Sequence, residues 1–279
     1  MDRNVAAPPA EVGVSLKRLA RIAGLLYLVV GILGGFAIAY VTATVYVPGD
    51  AATTAERVLA NSGLVRVGVV ADLLQATVFV FLAMTLYLVL KHVDRNAASA
   101  MVILVAIATT TMCLNKVFQF AALRVASDGS YVDAFGVAGA NALVLLLLDI
   151  HNYGFLIAQI FFGLWLVPLG YLAYKSGMFP KALGVVLIVG GVCYLLDMLA
   201  RFLIPDVGER IHTYVSIPPT IAEIWMVGYL LVKGVSDGAH TSAMPVRMRP
   251  PVAQPRLRSA GHRLGHEAPG EPAEVGRSS

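Results

Sequence analysis

The sequence predicts an all-α fold: a bundle of six transmembrane helices, with short amphipathic helices on its outer side and a disordered C-terminal tail. Three observations predict it. Apolar residues make up 58% of the 279 residues, charged residues only 14%, and the mean hydropathy is +0.75. A soluble domain normally carries about a quarter charged residues, so this chain lacks the polar coat that water demands. Its apolar residues fall in six blocks that approach or exceed the ~20 needed to cross a ~30 Å hydrocarbon layer. The blocks are continuous rather than alternating, unlike the ~10-residue strands of a membrane barrel.

The first block, Ile22 to Val47, follows Lys17, Arg18 and Arg21. A secretory signal has an apolar core of only about 7–15 residues, so this segment reads as a retained helix. The other blocks are Leu64–Leu90, Ala97–Leu123, Asn152–Tyr174, Ala182–Ile204 and Tyr214–Val232. Lys91–Asn96 and Lys175–Lys181 read as tight hairpins between them. Pro48 to Gly63 opens on a proline-glycine turn and reads as a surface amphipathic helix. Ala134 to Leu148 is apolar and runs into the fourth block. Together they would make a helix of about 60 Å, too long for one span, so a break is expected near Asp149 to Gly154. Three segments result: a flexible N-terminus (1–16), the membrane domain (17–234) and a disordered basic tail (235–279).

Basic residues set an orientation. Fifteen of the 21 fall on the side of the termini and five on the other, with Lys116 inside a span. Positive charge marks the cytoplasmic side, so both termini are expected in the cytoplasm of a multi-pass plasma-membrane protein. Cys113 and Cys193 read as small apolar side chains inside spans, and Gly31 with Gly35 as a small-xxx-small packing pair.

Ionisable residues within the blocks carry the functional reading. Asp72 and Gln75 share a face of the second helix; Lys116 and Gln119 lie at a similar depth on the third, with Asn115 beside them. Asp149 and His151 open the fourth block, Asp197 and Arg201 stand four apart near the outer end of the fifth, and Glu223 follows the kink signal Pro218-Pro219 in the sixth. All fall in the outer half. A charge at the bilayer centre costs about 3 kcal/mol or more, so these side chains should turn inward and meet. The expectation is a polar pocket about 10–15 Å below the outer surface, by helical rise.

Such a pocket admits three readings. It could bind or transport a small polar solute. It could be an intramembrane enzyme site in which His151 and the carboxylates supply acid-base groups or metal ligands. Or it could be an ion-pair network, Asp72–Lys116 and Asp197–Arg201 among the pairs, that fixes helix register. No Cys or His spacing suggests a metal, and no glycine-rich loop suggests a phosphate-binding cofactor. No catalytic residue is assigned. Membrane lipids and a small polar ligand are the expected partners, nucleic acid is not, and the oligomeric state is not legible.

Several stretches resemble a known family: RLARIAGLLYLVVGILGGF, VPGDAATTAERVLANSGLVRVGVVADLL, LYLVLKHVDRNAA and IAEIWMVGYLLVKG. The most specific is LDIHNYGFLIAQIFFGLWLVPLGYLAYKSGMFPKALGVVLIVGGVCYLLD, with Asp149-Ile-His151, Tyr153-Gly154, Ser176-Gly177, Pro180 and Gly184. From Lys17 to Gly234 the chain is similar to a bacterial integral-membrane family of unknown function (family 4386). The resemblance implies a six-helix bacterial plasma-membrane protein and supplies no reaction, ligand or catalytic residue.

Overall fold

The computed structural model of the chain describes residues 15–235, and these form helices and turns without a strand. Among the described residues six helices are long and apolar enough to cross a membrane: Leu16–Val45, Ser62–Leu90, Arg95–Ser127, Gly129–Ser176, Lys181–Leu203 and Pro205–Val232. In chain order these are the first to sixth spans. The protein is a multi-pass membrane protein. The flexible N-terminus and the disordered tail expected from the sequence lie outside the described residues, apart from the junctions at 15–16 and 235.

Short connections make neighbours antiparallel. Each span packs on the next and the sixth returns to the first, so the six form a ring. The end at which Leu16 begins is here called proximal, and the other distal. At the proximal end lysines lie over tyrosine rings: Lys91 on Tyr87, Lys175 on Tyr171, Lys181 on Tyr174 and Lys233 on Tyr229, at 5.2–5.9 Å from the centroids. Amphipathic rings and snorkelling ammoniums are what the rim of a hydrocarbon layer selects.

Helix starts are capped where the chain meets water. Ser15 accepts from the Arg18 amide, Asp50 from Thr53, Asp94 from Asn96 and Ala97, and Asp128 from Ser130. The Asp94 carboxyl is held below the usual carboxylate range, first by the Ala97 amide. Thr53 does the same for Asp50, and Ser130 for Asp128.

Lipid offers little hydrophobic drive between helices, so close backbone packing has to supply it. The fourth and fifth spans use paired glycines. An added Cβ at Gly170 would lie 2.6 Å from the Gly184 carbonyl oxygen, and one at Gly191 2.6 Å from that of Gly163. Around this seam Trp165, Leu166, Leu169, Leu82, Leu86 and Leu187 build the proximal core. A smaller distal core joins Val45, Val58, Val65, Leu123, Val144 and Leu148, and the surface helix Ala51–Ala60 packs on it.

Several expectations need correction. The fourth helix runs unbroken through Asp149 to Gly154; its break is at Gly136, with φ 69° and ψ 165°. Glycine alone takes that backbone without strain. The polar group at 149–151 finds partners on other helices, so nothing there competes with the helical ladder. The sixth span does not kink at Pro218-Pro219. It divides at Ser216 into Pro205–Val215 and Ile217–Val232, and the two prolines sit in the first turn of the second piece, where no amide donor is needed. Cys113 is exposed on the outside of the bundle, not buried. Gly31 and Gly35 pack against nothing: an added Cβ at either would meet no atom within 4 Å.

Part of the first span is wound as a π-helix, Phe36–Thr42. Such segments often accompany functional sites. This one lines two cavities inside the ring.

Candidate functional site

The nine residues singled out from the sequence divide into two polar centres and two outliers. In the first centre the Lys116 ammonium forms an ion pair with Asp72. It also donates to Gln119 Oε1 at 3.3 Å and to His151 Nε2 at 3.3 Å. An ammonium has three donors, and here each has an acceptor. Accepting at Nε2 puts the His151 proton on Nδ1, which faces the Asn115 carbonyl at 3.3 Å. The Asn115 amide returns a bond to the His151 carbonyl at 2.7 Å. Asp72, Asn115, Gln119 and His151 are all buried. The space left among them is about 40 Å³, little more than a water or two. The ammonium is fully used and the centre is nearly closed.

The second centre is open. A cavity of about 650 Å³ lies between the first, second, fourth, fifth and sixth spans. Phe79, Phe155, Phe162 and Trp165 give it aromatic walls, with Phe79 edge-on to Trp165 at 5.0 Å. Its polar lining comprises Tyr27, Gln75, Gln159, Tyr194, Asp197, His212, Ser216, Thr220 and Glu223. Asp197, only 2% exposed, accepts from Gln159 at 2.8 Å and from His212 Nδ1 at 2.9 Å. Glu223 receives one long bond, 3.5 Å from the Tyr194 hydroxyl. Two residues of this lining, Tyr27 and Gln75, each keep a fully buried polar atom, the hydroxyl and Oε1, without a hydrogen-bond partner among the described residues.

Asp149 and Arg201 belong to neither centre. Asp149 accepts from the Tyr46 hydroxyl at 2.6 Å, bracing the distal end of the first span against the fourth. Burial, and then that bond, holds the Tyr46 hydroxyl above its ordinary range. The expected Asp197–Arg201 pair does not form. Arg201 reaches Glu209 at 4.0 Å, while Asp197 turns inward to His212. The reason is depth: Asp197 is buried in the ring and Arg201 lies one turn nearer water, where an exposed partner suffices. The single shared pocket expected from the sequence is therefore two: no hydrogen bond or ion pair joins the Lys116 group to the Glu223 group among the described residues.

Six polar lining residues were missed, Ser216 and Thr220 at the start of the helix Ile217–Val232 among them. Gln159 carried a signal, being a polar amide in the middle of an apolar span. Tyr27 and Tyr194 carried a weak one, since a tyrosine in a span can belong to a rim or to an interior. His212 carried none: it sits on the distal helix Pro205–Val215, and only the fold of that helix over the cavity brings it to Asp197.

A metal reading finds no support in the gathered side chains. Among the described residues no three His, Cys, Asp or Glu groups converge as a metal ion would need. His151 in particular faces Lys116, a cation that competes with any metal.

The whole ring matches one family model, described as Domain of unknown function (DUF4386), over residues 22–234. An uncharacterized protein of Archaeoglobus fulgidus is 32% identical over 105 residues, which is 36% of this chain and 61% of that relative's length. The chain thus spans less than two thirds of that relative. No solved structure matches the chain significantly. The chain belongs to the DUF4386 family.

Proposed function

We propose that this member of a membrane family without an assigned activity binds a small solute inside the bilayer, in the chamber above Glu223 and Asp197, and that binding or transport of that solute is its function. One observation carries the reading. The Glu223 carboxyl lines a 650 Å³ cavity and, among the described residues, receives one long bond, 3.5 Å from the Tyr194 hydroxyl. A polar group left short of partners inside the membrane costs about 1–3 kcal/mol or more, so a fold retains one most readily where something else pairs with it. The cavity's size is that of a small-molecule site, about 300–1,000 Å³. The Lys116 centre next to it, with its ammonium fully paired and little space, fits the structural reading instead.

A second reading has one specific observation behind it. Buried Asp197 holds His212 by Nδ1, an arrangement that orients an imidazole for acid-base work. An enzyme of this protein would use His212 and not His151.

Orientation is part of the proposal. The proximal end carries Lys17, Arg18, Arg21, Lys91, Arg95, Lys175, Lys181 and Lys233, so it is taken as cytoplasmic and the chamber as lying toward the outside. A fluorescent protein fused to the C-terminus should then fluoresce, and a secreted-side reporter there should stay silent.

The test is a thermal-shift screen of the purified full-length protein against amines, amino acids, sugars and short acids. A compound that stabilises the wild type and not Glu223→Gln or Gln75→Ala is the expected result. Equal stabilisation of all three proteins would count against the chamber. For the second reading, His212→Gln should keep the stabilisation and lose any turnover of that compound.

A further inference from the structure

The chamber proposed as a binding site also opens sideways, and the nature of its occupant is inferred on that reading. The first and sixth spans touch at Gly24, where an added Cβ would lie 2.9 Å from Leu230 Cβ. Further along they part. At Gly31 and Gly35 an added Cβ would meet nothing within 4 Å, although both residues line the cavity. By helical rise Gly31 and Glu223 each stand about 10 Å from the Gly24–Leu230 contact, so the gap opens level with the carboxylate. Its rim is apolar: Ile32 is 61% exposed and Ile224 68% exposed. A gap between two spans at this depth faces acyl chains and not water.

The chemistry inside is one-sided. Among the described residues lining the chamber there are two carboxylates and no Lys or Arg. Asp197 is filled by Gln159 and His212. Among the described residues Glu223 is not, having only the long bond from Tyr194. A carboxylate within a membrane seeks a cation, since leaving it unpaired is costly. The aromatic walls beside it would receive hydrocarbon.

We propose that the solute is a cationic amphiphile, a protonated amine on a hydrocarbon chain, which enters from the bilayer between the first and sixth spans. Its amine meets Glu223, and its chain lies against Phe79, Phe162 and Ile224. A polar solute from water would need no apolar gap at Gly31 and Gly35, and an anionic amphiphile would meet two acids.

The experiment uses full-length protein in lipid vesicles with Trp225→Phe, so that Trp165 in the cavity wall is the one fluorescent tryptophan left. The probes are chain-brominated dodecylamine and dodecanoate, which quench an indole on contact, with ethylamine as a competitor. Dodecylamine should quench saturably, at least about tenfold more tightly than dodecanoate, and ethylamine should compete poorly. Glu223→Gln should weaken the amine by about tenfold or more, the worth of one charge-assisted hydrogen bond. Gly31→Leu and Gly35→Leu add bulk where space is free, so they should fold normally and still slow or abolish quenching. Dodecanoate binding as tightly as dodecylamine, or ethylamine competing as well as it, would overturn the amphiphile and leave the chamber standing. Unaltered binding and rate in both glycine variants would overturn the lateral route, even if Glu223→Gln failed to fold. No binding by any of the three probes, together with no hit in the thermal-shift screen, would overturn the chamber itself.

Discussion

Around Lys116 every ammonium hydrogen has an acceptor and the space left is about 40 Å³; around Glu223 one long bond serves a carboxylate beside about 650 Å³. Both centres lie within the same ring, and the π-helical part of the first span and Phe155 border both. The difference lies in charge balance and packing. Where an acid on the second span meets a base on the third, the pair draws its helices together and closes. Where acids on the fifth and sixth spans meet no base from the first or second, the helices stay apart. Buried charge by itself therefore does not mark a site. Charge without a full set of partners, beside space, does.

That contrast can be broken in several ways, and the largest effect is expected at the closed centre. Lys116→Met leaves Asp72 buried and alone, which should cost about 3–5 kcal/mol and be seen as a large fall in melting temperature in detergent. Adding Asp72→Leu should restore most of it, because an apolar pair of similar volume is often as stable as a buried ion pair. A small effect of Lys116→Met would mean that the centre is wetter or looser than described.

Glycines give the next test. Gly184→Ala pushes a Cβ to 2.7 Å from the Gly170 carbonyl oxygen and should cost about 1–3 kcal/mol. Gly35→Ala, at the gap, should leave the melting temperature unchanged or slightly raised, since alanine is the better helix former. Equal losses at the two positions would mean that the gap is closed in the membrane.

Glu223→Gln should change stability by less than about 1 kcal/mol, as it removes a charge that lacks a full partner. It should at the same time remove the thermal shift produced by a bound ligand. A fall as large as that of Lys116→Met would make Glu223 a structural residue.

The smallest effect belongs to the proximal boundary. The Asp94 carboxyl is held below its ordinary range by the Ala97 amide, so its capping contribution is complete above the carboxylate pKa of the unfolded chain. It is lost as pH falls through the lower folded value. Asp94→Asn should therefore flatten the acid end of the stability–pH curve and lower stability slightly at neutral pH, where the charged cap is complete.

Much of this was legible in the amino-acid order because lipid is a strict solvent. A backbone amide in hydrocarbon must bond within its own helix, so a run of about 20 apolar residues has one sensible conformation. The six spans, the surface helix Ala51–Ala60 and the inward turn of Asp72, Lys116, Asp197 and Glu223 follow from that local rule. The Asp72–Lys116 pair was readable too, since the two residues lie at matching depth on consecutive helices. Which acids meet which bases across the ring was not. Asp197 was matched to Arg201 by spacing along one helix, and the fold matched it to His212 from a helix bent back over the cavity. Gly31 and Gly35 look like a packing seam in one dimension and lie at a gap in three. Local composition decides what a segment must do with its backbone. Only the assembled ring decides which side chains share a space, because that depends on where neighbouring helices touch and where they part.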